Sequence, residues 1–272
     1  MSRRAAMAGI EHLYPDTPAL VAGVAAAFTQ ACRDAIARRG RAWLALAGGR
    51  TPLPVYAQLA QALRGERIDA VPTDERCVPH NHPACNLRHL RAAFGSEAPA
   101  FARHSRVGGN PAFDLSRQQQ ELDSRLPGND EPGNIVVHPL TAANGDIDAS
   151  LAQARALLAA RPQPFDAVLL GMGADGHIAS LFPGAANLAD GLALDSSVDA
   201  IATLPDPLPP EAPFARISLT LPRLLRAGGV HLVVTGHAKR AVLNQARRDP
   251  QAPFPVAALL HAGAPIHLHW SP

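Results

Sequence analysis

Residues 164–184 read PFDAVLLGMGADGHIASLFPG. The first ten are a short apolar run closed by glycines, the pattern of a strand covered on both faces. Gly171, Gly173 and Gly176 then let the backbone turn tightly and approach a ligand. HIASLF (177–182) reads as a short helix stopped by Pro183 and Gly184, with Asp175 as its cap and His177 in its first turn. A histidine at a strand end, in a cleft, suits a general base working near neutral pH. The plainer reading is a structural histidine satisfied by backbone. The glycine setting weighs toward function.

The same strand-then-helix grammar extends in both directions. Upstream, residues 18–38 carry apolar groups at helical spacing, with Gly40 as the stop. WLALAGG (43–49) is a second buried strand. PLPVYAQLAQALRG follows as a helix, with Pro52 at its first position and Thr51 as its cap. Residues 68–71 form a further strand that runs into TDER (73–76). Residues 147–161 read as a helix. Downstream come a strand at RISLTL (216–221) followed by a short helix, a strand at VHLVVTG (230–236), a helix at AKRAVLNQARR and a last strand at PIHLHW. Alternating strands and helices predict an α/β, Rossmann-like fold, a mostly parallel sheet with helices on both faces. The 272 residues suit a single domain. One stretch, 99–133, is rich in Gly, Pro, Arg, Asn and Gln without an apolar period, and reads as a surface insertion. Its SRVGGNP and SRLPGNDE pieces look like a translated bacterial dispersed DNA repeat.

Open parallel sheets bind ligands beyond the carboxyl ends of their strands, so the residues after each strand matter most. AGGRTP (47–52) offers Gly48, Gly49, Arg50 and Thr51 at a helix start, where backbone N–H groups can hold a phosphate; an ordinary tight turn is the alternative. TDER sets Asp74, Glu75 and Arg76 at one strand end, fit for sugar hydroxyls, phosphate or acid–base work, or else a solvated cluster. TGHAKR (235–240) places Lys239, the chain's only lysine, in the first turn of a helix. A cation there is mildly unfavourable with the helix dipole, which points to an anion, although a general preference for arginine would also explain it. CVPHNHPAC (77–85) contains Cys77, His80, His82 and Cys85, all zinc-ligand types, but at a spacing that fits no common zinc finger. It reads as a loop at the rim of the cleft.

Bulk properties narrow the function class. Apolar residues make up 47% of the chain, enough for a sizeable core, and charged residues 18%. The net charge of +2 lacks the basic footprint of a nucleic-acid binder. Three cysteines give no disulfide framework and fit a reducing cytoplasm. The N-terminal residues carry no apolar core of a signal peptide, and the apolar run at 20–28 is far short of the ~20 residues of a membrane span. A soluble protein with no membrane and no nucleic-acid partner is expected, a monomer or weak homo-oligomer.

Five strings, in order, carry a resemblance: LALAGGRTPLPVY, TDERCVPHNHPACNLRHLR, FDAVLLGMGADGHIASLFPG, RISLTLP and VVTGHAKRAVL. Together they resemble the 6-phosphogluconolactonases, whose wider superfamily includes glucosamine-6-phosphate deaminases. The match runs from about Trp43 to Leu243 apart from the insertion. The resemblance implies hydrolysis of a small phosphorylated sugar lactone in the oxidative pentose phosphate pathway, with no metal and no organic cofactor. It implies that Gly48, Gly49, Arg50 and Thr51 help hold the phosphate, that Arg76 and Lys239 anchor it, and that Asp74 shapes the site. His177 would activate water, with Asp175 or a backbone group orienting its ring. Backbone N–H groups of the GMGADG turn, including Gly173, would stabilise the oxyanion. The chain departs from the family pattern at Ala47 and Arg50, where serine is frequent, and at Ala84-Cys85-Asn86, where Ser-Asn is more usual. Two other activities remain in view. One is a glucosamine-6-phosphate isomerase–deaminase using Asp74 for proton transfer, although an aromatic residue is typical there in place of Arg76. The other is a non-catalytic sugar-phosphate sensor.

Overall fold

The structure, a computed structural model, describes residues 9–95, 135–206 and 213–272. The 99–133 insertion lies outside the described residues. Ten strands and eight helices follow in chain order among them. They are β1 (Ile10–Leu13), α1 (Thr17–Arg39), β2 (Ala42–Leu46), α2 (Leu53–Ala62), β3 (Ile68–Pro72), β4 (Asp74–Arg76), α3 (Asn86–Phe94), β5 (Ile135–Val137), α4 (Ile147–Ala159), β6 (Ala167–Gly171), α5 (Leu188–Leu192), β7 (Ala200–Thr203), β8 (Arg216–Leu219), α6 (Leu221–Leu225), β9 (Val230–Thr235), α7 (His237–Arg248), α8 (Pro255–His261) and β10 (Ile266–Ser271).

Seven strands make an all-parallel sheet in the order β1-β10-β9-β6-β2-β3-β5. The reason is visible along β2, where all five residues are buried. Leu44 and Leu46 enter a core shared with α1, α2 and α3, while Trp43 and Ala45 enter the opposite core, shared with α4, α6, α7 and α8. A strand apolar on both faces is stable only between two helical layers. Each Leu or Val so buried contributes about 1.5–3 kcal/mol. Helix α1 is long and apolar enough by composition to cross a membrane. Its Leu20, Val24, Phe28 and Cys32 instead line the sheet at 1% exposure or less. Asp16 caps its start by accepting from the Ala19 N–H at 2.8 Å, and Gly40 ends it at φ 73°.

A second sheet, β4-β8-β7, is antiparallel and three-stranded. RISLTL, read as a strand, lies here rather than in the parallel sheet. Its partner β4 is the DER of TDER, with Asp74 opposite Ser218, Glu75 opposite Ile217 and Arg76 opposite Arg216. Side chains alternate along β4. Glu75 points away from Asp74 and Arg76 into a fully buried niche. There its carboxylate accepts from the N–H groups of Arg76 (2.8 Å), Asn86 (2.8 Å) and Leu87 (2.7 Å). The last two are the first donors of α3, whose N-cap residue Cys85 supplies no side-chain cap. Glu75 thus caps from a distant strand the donors that a helix start leaves unpaired. Burial raises its pKa, partly offset by those three N–H groups.

The end of the sheet away from α2 carries a different polar motif. On β1, β9 and β10, His12 lies opposite His269 and His231 opposite His267, with rings stacked. His231 Nδ1 lies 3.0 Å from His269 Nε2, and the Tyr14 hydroxyl lies 2.9 Å from His269 Nδ1. Burial first, then the neighbouring histidines, pushes His231 and His269 down to about 3.

Two outcomes follow. Glu75→Ala strands three buried donors and should cost at least about 3 kcal/mol in chemical denaturation, with Glu75→Gln intermediate. The two lowered histidines are neutral in the folded chain and protonate near 6.5 when unfolded. Their contribution is therefore complete above about pH 6.5 and is lost as pH falls toward 3, by up to roughly 2.7 kcal/mol per pH unit. Denaturation curves at pH 7 and pH 5 should show this slope, and His231→Phe should flatten it.

Candidate active site

The sheet reverses its direction of growth at β2. The chain passes from β2 to β3 on one side and returns as β6 on the other. At such a switch point the loops after neighbouring strands diverge and leave a crevice. A cavity of about 280 Å³ lies there, walled by Gly48, Gly49 and Thr51 after β2, and by Gly171, Met172, Gly173 and His177 after β6. Thr73, Asp74 and Arg76, Asn86 of α3, Arg216 of β8 and Lys239 of α7 complete its polar wall. This brings together eight of the ten site residues expected from sequence. Arg50 is exposed and does not wall the cavity. Asp175 sits behind His177. Thr73, Asn86, Arg216 and Thr235 were not anticipated.

Two local expectations are corrected. Thr51 does not cap α2, which starts at Leu53 behind Pro52 and has no side-chain cap; Thr51 faces the cavity instead. HIASLF is not a helix. Ile178 and Leu181 form an isolated antiparallel bridge, and Ala179 adopts φ 47°. Asp175 consequently caps no helix, and its Oδ1 accepts from the His177 N–H at 3.2 Å and lies 2.6 Å from His177 Nδ1. The segment instead closes a tight turn whose polar groups have partners in the small sheet: the Ser180 N–H donates to Ser218 Oγ at 3.1 Å, and Ser180 Oγ donates to Asp74 Oδ2 at 2.5 Å.

His177 is half-buried, its ring packed on Phe182 at a centroid distance of 4.3 Å. Burial works to raise the Asp175 carboxyl, but the hydrogen bond and charge of His177 outweigh it and hold Asp175 below its ordinary value. An ionised carboxylate at Nδ1 places the proton on that nitrogen and leaves the Nε2 lone pair free to accept. Asp74 is nearly buried and accepts from Ser180 Oγ and from Thr73 Oγ1 at 3.2 Å. Arg76 Nη1 donates to the Ala84 carbonyl at 2.9 Å and to Asn86 Oδ1, and Asn86 Nδ2 donates to the Asp74 carbonyl at 2.8 Å. Asn86 presses on Gly48, where a Cβ would overlap its carboxamide. Among the described residues, the charged groups on the wall are Arg76, Arg216 and Lys239 against Asp74 alone. A small concave site with this imbalance favours an anionic ligand.

The rim loop makes no metal cluster. His80 Nε2 meets the Thr141 carbonyl at 2.9 Å, His82 Nδ1 accepts from the Ala84 N–H at 3.1 Å, and Cys85 Sγ lies 3.5 Å from Glu75 Oε2. Among the described residues, no group of three His, Cys, Asp or Glu is arranged to hold a metal ion.

Gly173, like Gly48, is a tight position. A Cβ there would fall well inside contact distance of His177 Nδ1 and Asp175 Oδ1. Gly173→Ala should displace the pair and lower turnover by roughly 10²-fold, as a misplacement near 1 Å does. A thermal melt beside the kinetics should show a smaller loss of stability than in Glu75→Ala.

Comparison with known proteins agrees with this geometry. The family model for glucosamine-6-phosphate isomerases/6-phosphogluconolactonase matches residues 15–270. A 6-phosphogluconolactonase of Caulobacter vibrioides is 34% identical over 250 residues, covering 89% of this chain and 88% of its own length. Another, from Pseudomonas putida, is 32% identical, covering 96% and 92%. In fold, the chain resembles the crystal structure of a 6-phosphogluconolactonase from Shewanella baltica, with a TM-score of 0.74 at 24% identity, covering 98% of this chain and 99% of that one. It also resembles a monomeric glucosamine-6-phosphate deaminase, with a TM-score of 0.65 at 16% identity, covering 96% and 97%. The chain belongs to the family of glucosamine-6-phosphate isomerases and 6-phosphogluconolactonases.

Proposed function

We propose that this chain is a 6-phosphogluconolactonase, hydrolysing 6-phospho-D-glucono-1,5-lactone to 6-phospho-D-gluconate in the cytoplasm with His177 as general base. The observation that carries the reading is the Asp175–His177 contact of 2.6 Å on the wall of a cationic cavity. Lactonases from Caulobacter vibrioides and Pseudomonas putida that match over most of their length support the substrate. The free thiols of Cys32, Cys77 and Cys85 suit a reducing compartment.

In this reading Arg76, Lys239 and the backbone at Gly48, Gly49 and Thr51 hold the phosphate. Binding energy at that remote group then positions C1 beside His177. Nε2 takes a proton as water attacks C1, and the carbonyl electron pair moves onto its oxygen. The pair returns, the bond from C1 to the ring oxygen breaks, and His177 gives its proton to that oxygen. The new carboxylic acid then ionises. Asp175 keeps Nδ1 protonated and stabilises the imidazolium between the two steps. The lactone carbonyl is electrophilic enough that no covalent nucleophile is required. Proton shuttling by Asp74, as an isomerase–deaminase would need, fits less well, because hydrogen bonds from the Thr73 and Ser180 hydroxyls lower the basicity of its two oxygens.

The test is lactone decay, with substrate generated in situ. Wild type should accelerate it, and His177→Ala should lose roughly 10²-fold or more of that acceleration. Equal acceleration by both proteins would remove His177 from its role. An inert wild type that releases ammonia from glucosamine 6-phosphate would replace the lactonase reading with the deaminase one.

A further inference from the structure

Gly48 and Gly49 are glycines for different reasons. Gly49 adopts φ 90°, a left-handed backbone, with open space where a Cβ would stand. Gly48 has no positive φ, but a Cβ there would overlap the Asn86 carboxamide. Gly48 is small so that Asn86 can lie directly against the loop after β2.

Asn86 is only 1% exposed, and both ends of its carboxamide are engaged. Its Oδ1 accepts from Arg76 Nη1, and its Nδ2 donates to the Asp74 carbonyl at 2.8 Å. A guanidinium only donates and a carbonyl only accepts, so these partners fix which end of the amide is oxygen. An ionised carboxylate or an apolar side chain of this size would fail one partner or both. The Asn86 backbone is held too, its N–H donating to Glu75 at 2.8 Å.

The same contact selects the edge of Arg76 that meets a ligand. Nη1 is spent on the Ala84 carbonyl, at 2.9 Å, and on Asn86. Nε is buried and has no hydrogen-bond partner among the described residues. Nε and Nη2 form the side of the guanidinium whose two N–H groups run parallel, the geometry that matches two oxygens of one phosphate. Asn86 thus touches Arg76 and Gly48 at once, and all three wall the cavity.

Resting on the lactonase reading, we infer that Asn86 is a positioning residue for the substrate's phosphate. It turns the Nε–Nη2 edge of Arg76 toward the anion and fixes the distance from that edge to the backbone at Gly48, so that both engage the same group. A guanidinium fixed beforehand loses less freedom when the anion binds. The phosphate keeps its charge and place throughout hydrolysis, so loss of this arrangement falls on binding more than on turnover.

The experiment compares wild type, Asn86→Ala and Asn86→Asp in the lactone-decay assay, with affinity for inorganic phosphate measured by calorimetry and folding checked by thermal melt. Asn86→Ala should weaken phosphate binding and raise KM together, each by roughly 10-fold, with kcat changed by less than about 3-fold. Asn86→Asp keeps the shape but sets a carboxylate beside the anion, and should weaken phosphate binding by roughly 10²-fold. If the Ala variant does not fold, the isosteric Asp variant decides. Unchanged KM and phosphate affinity in a folded variant overturn the assignment. So does a fall in kcat with both of those intact, which a merely structural role would give. A wild type inert toward the lactone overturns the lactonase reading, whereas the phosphate titration still decides whether Asn86 sets the anion site.

Discussion

A carboxylate without solvent, Glu75, holds the site in register. Its two oxygens gather the N–H groups of Arg76, Asn86 and Leu87, so one side chain fixes the direction of β4 and the start of α3 together. Everything on the glycine-loop side of the cavity follows. Asn86 is delivered against Gly48 and across to the Asp74 carbonyl, and Arg76 is steered by the oxygens of Ala84 and Asn86. The alternation of β4 then divides three consecutive charged residues between two tasks. Asp74 and Arg76 face the cavity, while Glu75 builds its support. A buried charge is tolerable because charge-assisted hydrogen bonds replace the water it lost.

Asp74 performs the matching service on the other side. By accepting from Ser180 it ties the small antiparallel sheet to the loop that carries His177. Ser218, opposite Asp74 in register, receives the Ser180 N–H. The loop that carries His177 is thus anchored by side chains of the second sheet rather than by a helix of its own. This also accounts for the missing helix at HIASLF, since Ser180's polar groups are satisfied across the cleft and Ala179 adopts a backbone angle no α-helix contains.

How much of this was legible depended on whether its cause is local. β2, β6 and β9 could be read because strands buried on both faces are continuously apolar, and their glycine-rich ends marked the crevice. β1, β5 and β7 were not read, being only three or four residues long. Thr51 has the chemistry of a cap, yet Pro52, already helical at φ −84°, stands at the helix start, which has no side-chain acceptor. Asn86 and Arg216 were out of reach for a different reason. Their placement rests on the pairing of β4 with β8 and on a helix capped from another strand, both set by long-range contacts. The one local sign is an arginine at the head of a fully buried strand.

The same fold serves a deaminase as well as lactonases, so the sheet itself does not choose the reaction. The choice lies in how the titratable groups are engaged. In the proposed hydrolysis the base has only to deprotonate water and needs one free lone pair, which a proton held at Nδ1 by Asp175 would leave at Nε2 of His177. An aspartate moving protons between carbons works best with a strongly basic oxygen, whereas each oxygen of Asp74 already accepts from a hydroxyl. In the lactonase reading, the hydroxyls of Thr73 and Ser180 hold the other carboxylate on the cavity wall as a strut.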